Sequence, residues 1–347
     1  MKKYFFILLL MTISGVVNAQ SKSEKIPYFV KSLSAEFINA VMAETSGGNI
    51  SVPGVEPSDA KIEVFVNSNN GRSGNLTDDE IKDRIKEYYD LDISISNNKL
   101  KATAKVNHRL DDWKKSLRVS FKIYVPKNVS TNLETTGGNI ALSGISGNQD
   151  FAASGGNLEL NNLEGKIKGR TSGGNIYVGN SKDDLDLTTS GGNIVAENSY
   201  GSINITTSGG SIKLNDLKGK IKVATSGGNI EGETISGDLS ARTSGGNLSL
   251  QYLSCSLKAA TSAGNIDISI KTPGDYISIN NSAGRVNLKM PKDKGVDLKL
   301  YGLKISTENL QNFSGTNSSE EINGKLNGGG VPVTVDAGGG KINVVFD

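Results

Sequence analysis

The tract Thr-Ser-Gly-Gly-Asn-Ile recurs, with small variations, along this 347-residue chain at a constant spacing of eighteen residues. A unit this short, without a helical period, cannot bury an apolar face by itself, so its copies must stack on one another. This period restricts the fold more than any other feature of the sequence. The residue that closes each copy is found at Ile140, Leu158, Ile176, Ile194, Ile212, Ile230, Leu248 and Ile266.

Each repeat contains two stretches in which apolar and polar residues alternate. In one repeat, Ile194 and Ala196 belong to the first stretch, Ile203 and Ile205 belong to the second, and Asn198 lies between them. Such alternation is typical of β-strands with one buried face. We therefore predict an all-β fold, a single-stranded parallel β-solenoid (β-helix) with 18-residue coils. Neighbouring coils are expected about 4.8 Å apart.

Two corners are predicted in each coil. At the first corner, the Gly-Gly pair interrupts the alternation, which predicts backbone angles that only glycine adopts readily. The asparagine after this pair is expected in the left-handed region or in an Asx turn. The second corner is interpreted as a left-handed turn, with a polar ledge for a sugar or cation as the alternative, and its column comprises Asn162, Asn180, Asn198, Asp216, Thr234 and Tyr252.

A regular column of threonines raises the alternative of ice binding, which requires a flat array of outward threonines. Thr207, however, shares the parity of Ile203 and Ile205, so the column is expected to point inward and to bond the neighbouring coil. The outward columns are irregular and contain opposite charges one repeat apart. The column is Thr171, Thr189, Thr207, Thr225, Thr243 and Thr261, and the charge pairs are Lys166–Asp184, Lys168–Asp186 and Lys220–Asp238.

The first nineteen residues have the pattern of a cleaved secretory signal peptide. Lys2 and Lys3 precede an apolar run that ends near Val17, and small residues follow up to Ala19. This apolar run is too short to span a membrane, and the rest of the chain contains no apolar run of the length that a membrane span requires. The sequence thus predicts export to a periplasm, the cell surface or the medium, and a mature chain without a transmembrane segment.

Four units are predicted along the chain. The signal peptide at residues 1–19 is followed by a strand-rich N-terminal cap at residues 20–132, with a first copy of the repeat and one short helix. The capping box Thr77-x-x-Glu80 predicts the start of that helix, and Asn97-Asn98 predicts a hairpin turn. The regular repeats occupy residues 133–290, and irregular coils with a second cap occupy residues 291–347.

Few residues have the pattern of an enzyme site. The adjacent acidic pairs at residues 78–79, 111–112, 183–184 and 320–321 do not predict a convergent pair, because neighbouring residues of a strand point to opposite faces. His108, the single histidine, is expected in an exposed loop. One histidine and one cysteine cannot build a Cys/His zinc site. We therefore predict no catalytic, cofactor-binding or metal-binding residue, and no ligand-binding residue can be assigned from the sequence.

The remaining candidates are a cysteine and a few aromatic residues. Cys255, the single cysteine, is expected to be a structural thiol, because it falls where other repeats have Gly147, Gly165, Gly201, Gly219 and Gly237. Tyr177, Tyr200 and Tyr252 could stack on sugar rings, as could Trp113, but they occupy different columns. The net charge of +2 is accounted for by Lys2 and Lys3, so the mature chain is nearly neutral. A nucleic-acid partner is therefore not expected.

The glycine-rich tracts and the C-terminal part of the chain resemble the DUF4097 family. The resemblance rests on the repeated Ser-Gly-Gly-Asn-Ile tracts, the end of a strand at residues 125–129, and the segments at residues 324–330 and 339–342. The family is described as adhesins with a β-strand repeat. The resemblance implies an exported or envelope-associated β-solenoid, and it implies no catalytic residues.

Together these features predict an exported, non-enzymatic protein that binds a cell-surface glycan or an envelope protein as an adhesin or scaffold. No cofactor is expected, and the oligomeric state is left open. Two alternatives remain at this point. One is a carbohydrate-active enzyme, and the other is an envelope scaffold that assembles end to end.

Overall fold

The computed structural model describes residues 26–68, 76–107 and 115–347. The chain is mostly β, with 64% strand, and it contains one α-helix in the part described. The N-terminal elements are β1 (Phe29–Ser32), β2 (Ala40–Thr45), β3 (Ile50–Val55), a 3-10 turn (Pro57–Asp59), β4 (Lys61–Ser68), α1 (Asp78–Tyr88), β5 (Tyr89–Ser96), β6 (Lys99–Val106) and β7 (Leu117–Pro126).

The strands that follow come from the repeats and from the C-terminal segment. The repeats form β8 (Ser130–Thr135), β9 (Ile140–Ser143), β10 (Ser146–Ala153), β11 (Leu158–Asn161), β12 (Glu164–Thr171), β13 (Ile176–Gly179), β14 (Lys182–Thr189), β15 (Ile194–Thr207), β16 (Ile212–Ala224), β17 (Ile230–Arg242), β18 (Leu248–Thr261), β19 (Ile266–Ile270), β20 (Ile277–Asn281) and β21 (Arg285–Met290). The C-terminal segment forms β22 (Val296–Tyr301), β23 (Lys304–Glu308), β24 (Phe313–Asn317), β25 (Glu321–Leu326), β26 (Val331–Asp336) and β27 (Lys341–Phe346).

The strands form a large mixed sheet in which most neighbours are parallel. Each repeat contributes to two parallel arrays. In the array that we call A, Ile194 pairs with Ile212, and in the array that we call B, Ile203 pairs with Ile221, so both offsets equal one repeat. Strands β15 to β18 are long enough to contribute their first half to array A and their second half to array B. The eighteen-residue period of the sequence therefore corresponds to a constant register of pairing between strands of successive repeats.

The core consists of the alternate side chains that the sequence pattern predicts. Ile194, Ile203 and Ile205 are each at most 1% exposed, and the equivalent residues of the other repeats are buried as well. The threonine column is also buried and therefore cannot form an outward array. The Thr207 hydroxyl donates to the carbonyl oxygen of Gly192 in the preceding repeat (2.9 Å) and accepts from the Gly210 amide (3.2 Å). The prediction for this column is confirmed.

The conformation expected for the Gly-Gly pair is wrong. Neither Gly191 nor Gly192 has a φ in the left-handed region. Glycine is needed for a different reason at the second position, because a Cβ on Gly192 would overlap the carbonyl oxygen of Gly174 one repeat earlier. Backbones of successive repeats thus approach each other more closely here than any side chain permits.

The asparagine after the Gly-Gly pair was also wrongly interpreted. Asn157, Asn175 and Asn193 do not have positive φ. Instead, each side-chain oxygen accepts a hydrogen bond from the backbone amide of the equivalent residue one repeat later, for example Asn175 N to Asn157 Oδ1 at 2.8 Å. The asparagines therefore form a ladder that links successive repeats. At the second corner the prediction is confirmed, since residues 162, 180, 198, 216, 234 and 252 have φ between 48° and 56°.

The N-terminal strands do not form a sheet of their own, because they pair with the strands of the repeats. Strands β2 and β3 pair with β8 and β9 on one side and with β6 and β7 on the other, all in parallel. The first repeat therefore lies between later parts of the chain. Antiparallel strands are added outside, with β5 on β6, β4 on β7 and β1 on β4. The cap is thus a continuation of both arrays.

The predicted helix and hairpin of this region are both present. Helix α1 begins after Thr77, whose hydroxyl accepts from the Glu80 amide while the Glu80 carboxylate accepts from the Thr77 amide. It contacts β5 and buries Ile85. Asn97 and Asn98 have φ of 50° and 62° and join β5 to β6. Strand β7 then alternates buried and partly exposed residues along its length.

The C-terminal end repeats the same topology. Strands β26 and β27 pair with β20 and β21 on one side and with β22 and β23 on the other. The last strands of the chain therefore lie inside the stack, and β25 and β24 extend array B in antiparallel orientation. The segment around residues 336–342 does continue the repeats, as its sequence predicts. No helix in the described ranges is long and apolar enough to cross a membrane.

Candidate binding surface

A groove with a volume of ≈ 530 Å³ opens at the second corner, where the chain passes from array A to array B. Tyr200 stands at its side with 52% of its surface exposed. The groove is lined by Asn198, Ser199, Tyr200, Gly201, Asp216, Lys218 and Gly219. We call this feature the Tyr200 groove.

The local sequence explains the shape of the groove. Asn198 and Asp216 turn the chain with φ of 48° and 50°, and Gly201 and Gly219 have φ of 129° and 125°. A Cβ on Gly219 would overlap the carbonyl oxygen of Gly201, so the glycines leave bare backbone at this position. The side chain of Ser199 is buried and does not fill the groove, and its hydroxyl donates to the Glu197 carbonyl.

The other candidate tyrosines do not join Tyr200. Tyr177 pairs in register with Val195 in array A, and its hydroxyl donates to a Glu197 carboxylate oxygen at 3.4 Å. Burial, and then the Glu197 charge, raise the pKa of Tyr177. Tyr252 lies at a left-handed corner and is exposed. The register confirms that the tyrosines occupy different columns, and Trp113 and His108 lie outside the described residues.

The Tyr200 groove adjoins a row of cations that the sequence interpretation did not single out. Lys218, Lys220 and Lys222 are exposed on β16 and form what we call the lysine row. Tyr200 pairs in register with Lys218. The eighteen-residue offset between these two positions was the signal in the sequence that could have identified this neighbour.

The charge pairs predicted across array B are in register but are not ion pairs. Lys166 faces Asp184 and Lys168 faces Asp186, yet within the described ranges no ion pair within 4.0 Å joins them. The Asp186 carboxylate instead accepts a hydrogen bond from the side-chain nitrogen Nδ2 of Asn204 at 2.8 Å. An ion pair does join β12 to β14 between Lys182 and Glu164 (2.7 Å), and a hydrogen bond to Glu164 raises the pKa of Lys182.

Lys220 behaves in the same way toward its predicted partner. It faces Asp238 in register. The Asp238 carboxylate, however, accepts from the Tyr276 hydroxyl at 3.0 Å, and Lys258 lies 5.3 Å from the centre of the Tyr276 ring. Within the part of the chain described, none of the three side chains of the lysine row makes an ion pair within 4.0 Å.

The acidic pairs have separate environments. Asp183 has a φ of 77°, so strand alternation breaks there and both Asp183 and Asp184 are exposed, contrary to the expectation of opposite faces. The Asp183 carboxylate accepts from the Gly165 amide at 3.1 Å. Asp78 and Asp79 lie in the first turn of α1. The pair at residues 111–112 lies outside the described residues, and the described residues contain no cluster of His, Cys, Asp or Glu side chains that could hold a metal ion.

Cys255 is a buried thiol, 1% exposed, in the core of β18. The repeat after it is two residues longer, and the additional segment covers the cysteine, with the Gly274 amide donating to the Cys255 carbonyl at 3.0 Å. Burial, and then the nearby Asp238 charge, raise the pKa of the thiol to about 12. A thiol with this pKa is protonated at neutral pH and unreactive.

Comparisons with known proteins give one structural match. No protein-family model matches this chain, and no curated protein matches it. A solved structure described as a putative cell adhesion protein from Clostridium sporogenes ATCC 15579 matches with 13% identity, covering 92% of this chain and 98% of that chain. Its TM-score of 0.19 is too low to carry an argument about fold or function. The resemblance to the DUF4097 family therefore stays a resemblance.

Proposed function

We propose that this protein is an exported, non-enzymatic β-solenoid that binds a glycan or protein partner in the cell envelope, as an adhesin or scaffold. The solenoid reading is supported by the constant offset of one repeat in both arrays. Export is supported by the signal-peptide pattern of residues 1–19, and the protein would then act in a periplasm, at the cell surface or in the medium.

The observation that carries the proposal is the Tyr200 groove on a surface of hydrogen-bonded strands. An exposed tyrosine ring offers an apolar face with a polar tip, which suits a sugar ring. Asn198, Asp216 and Lys218 line the same groove and supply donors and acceptors for sugar hydroxyls. Because the strands that hold these residues are paired on both sides, the site requires little ordering when a ligand binds.

The acidic content of the groove favours binding over cleavage. Glycoside hydrolysis uses two carboxyl groups about 5–10 Å apart on either side of the scissile bond. Among the residues that line the Tyr200 groove, Asp216 is the single carboxylate. Carbohydrate cleavage is therefore the less favoured function.

A glycan array and a whole-cell binding assay with the purified protein test the proposal. We expect saturable binding that weakens about two- to tenfold in Tyr200→Ala, the range expected for loss of an aromatic contact. Tyr252→Ala is the matched control, because Tyr252 is similarly exposed but lies away from the groove. Absence of binding to every glycan and cell type would refute the proposal.

A further inference from the structure

The lysine row has the geometry of a short linear anion site. Lys220 and Lys222 flank the buried Ile221 on β16, so their side chains leave the same face about 6.6 Å apart. Lys218 lies on the other side of Gly219, whose φ is 125°, and lines the adjoining Tyr200 groove. All three are exposed. A ligand that contacts all three must run parallel to β16, across array B.

The strands beside the row compensate only part of its charge. On one side the residues in register are Tyr200, Ser202 and Asn204, all neutral. On the other side Lys220 faces the Asp238 carboxylate, which accepts from the hydroxyl of Tyr276, two repeats beyond Asp238. Three lysines against the two carboxylates of Asp216 and Asp238 leave a net positive charge at the row, which attracts an anionic ligand.

The neighbouring acids limit the width of that ligand. Asp184 and Asp186 are exposed on β14, two strands from the lysine row, which corresponds to about 10 Å. Asp216 lies at the corner beside Lys218. The strip that favours an anion thus comprises the lysine row and the neutral strand that carries Tyr200. One polymer chain fits on this strip, whereas a DNA duplex or a membrane surface would also meet Asp184 and Asp186.

We propose that the partner bound at this surface is a linear anionic polysaccharide, whose charged groups contact the lysine row and one of whose sugar rings stacks on Tyr200. This inference rests on the proposed function and specifies the class of glycan. Tyr200 adjoins one end of the row because it pairs in register with Lys218. The stacking contact and the charge contacts can therefore be made by one chain.

Titration calorimetry with polygalacturonate, a polymer of uronic acids, and with dextran, a neutral polymer, tests the inference on the purified protein. We expect binding to polygalacturonate that weakens with added salt. The double variant Lys220→Gln/Lys222→Gln is expected to weaken it about tenfold, as loss of two exposed charge contacts implies. Asp216→Asn is expected to strengthen it, since it removes the anion beside Lys218.

The matched control is Lys166→Gln/Lys168→Gln, which removes two lysines from the same array at positions that face Asp184 and Asp186. This control is expected to bind polygalacturonate as the unchanged protein does. An equal loss in both double variants would overturn the inference, as would tighter binding to anionic lipid vesicles or duplex DNA. If the protein bound dextran and the lysine substitutions had no effect, the inference would be overturned and the proposed function would stand. If it bound neither polymer, no other glycan and no cells, both the inference and the proposed function would be refuted.

Discussion

At the scale of single residues, contacts between successive repeats decide which residue a position accepts. The glycine pair illustrates this, because neither member has a left-handed φ and the two have different neighbours. Gly192 lies against the carbonyl of Gly174, whereas the nearest atom to a Cβ on Gly191 is the Ser172 carbonyl oxygen at 3.7 Å, an ordinary contact distance. Sequence alone marks both glycines as special and does not distinguish them.

We expect Gly192→Ala to lower the free energy of unfolding by about 1–3 kcal/mol, the range for inserting a methyl group into a tightly packed site. Gly191→Ala is the matched control and should change it by less than about 0.5 kcal/mol, as most exposed substitutions do. Urea unfolding followed by circular dichroism measures both. Equal effects of the two substitutions would show that backbone conformation, and not the contact with Gly174, requires glycine.

Cys255 provides a prediction about pH. Burial raises the pKa of its thiol in the folded protein from about 9 to about 12, so between these values the thiolate forms in the unfolded chain and not in the folded one. The folded state is then favoured below pH 9 and loses stability as the pH rises toward 12. We expect the free energy of unfolding to fall more steeply over this interval in the unchanged protein than in Cys255→Ala. Parallel slopes in urea unfolding at several pH values would contradict this.

At the scale of elements, most of the local structure could be predicted and part of the site could not. Alternation identified the buried positions of both arrays, and a shared parity placed Thr207 inside. The roles of the Gly-Gly pair and of the following asparagine were missed because both depend on atoms one repeat away. The Tyr200 groove was not predicted for a related reason. Its lining residues come from two successive repeats and from several columns, so no single column of the sequence indicates it.

Helix α1 offers a test of an element predicted from its capping box. Thr77→Ala removes the hydroxyl that accepts from the Glu80 amide, and an N-cap of this kind contributes about 1 kcal/mol. We expect faster hydrogen exchange of the α1 amides, with little change in β15 or β16. Thr77→Ser keeps the hydroxyl and serves as the control. Unchanged exchange in the alanine variant would show that packing of Ile85 against the sheet alone holds the helix.

At the scale of the whole molecule, the two ends of the stack share the same strand topology. Strands β2 and β3 near the start of the chain and β26 and β27 at its end lie inside the stack, and strands from neighbouring parts of the sequence are added outside them. Antiparallel strands then cover β6 and β7 at the N-terminal end and β22 at the C-terminal end, and α1 lies on β5. A covered end offers less open strand edge to another molecule. This arrangement disfavours end-to-end assembly, for which light scattering should show no growth with protein concentration.

The middle of the stack should tolerate loss of one repeat, because each repeat contacts mainly its two neighbours. Deletion of residues 194–211 joins Asn193 to Ile212, so Ile176 would pair with Ile212 and Leu185 with Ile221 in unchanged register. We expect a folded protein that is shorter by about 4.8 Å. Small-angle scattering measures the length, and urea unfolding measures the stability.

The matched control removes half as many residues and should do more damage. Deletion of residues 194–202 leaves a single strand segment, residues 203–207, between two Gly-Gly corners, and this segment cannot supply a strand to each array. The repeats on either side would then lack a continuous neighbour in array A, and their buried faces would be exposed to water. If the shorter deletion left the protein as stable as the longer one, stability would not depend on the register between repeats, and the stacked arrangement proposed for this chain would be wrong.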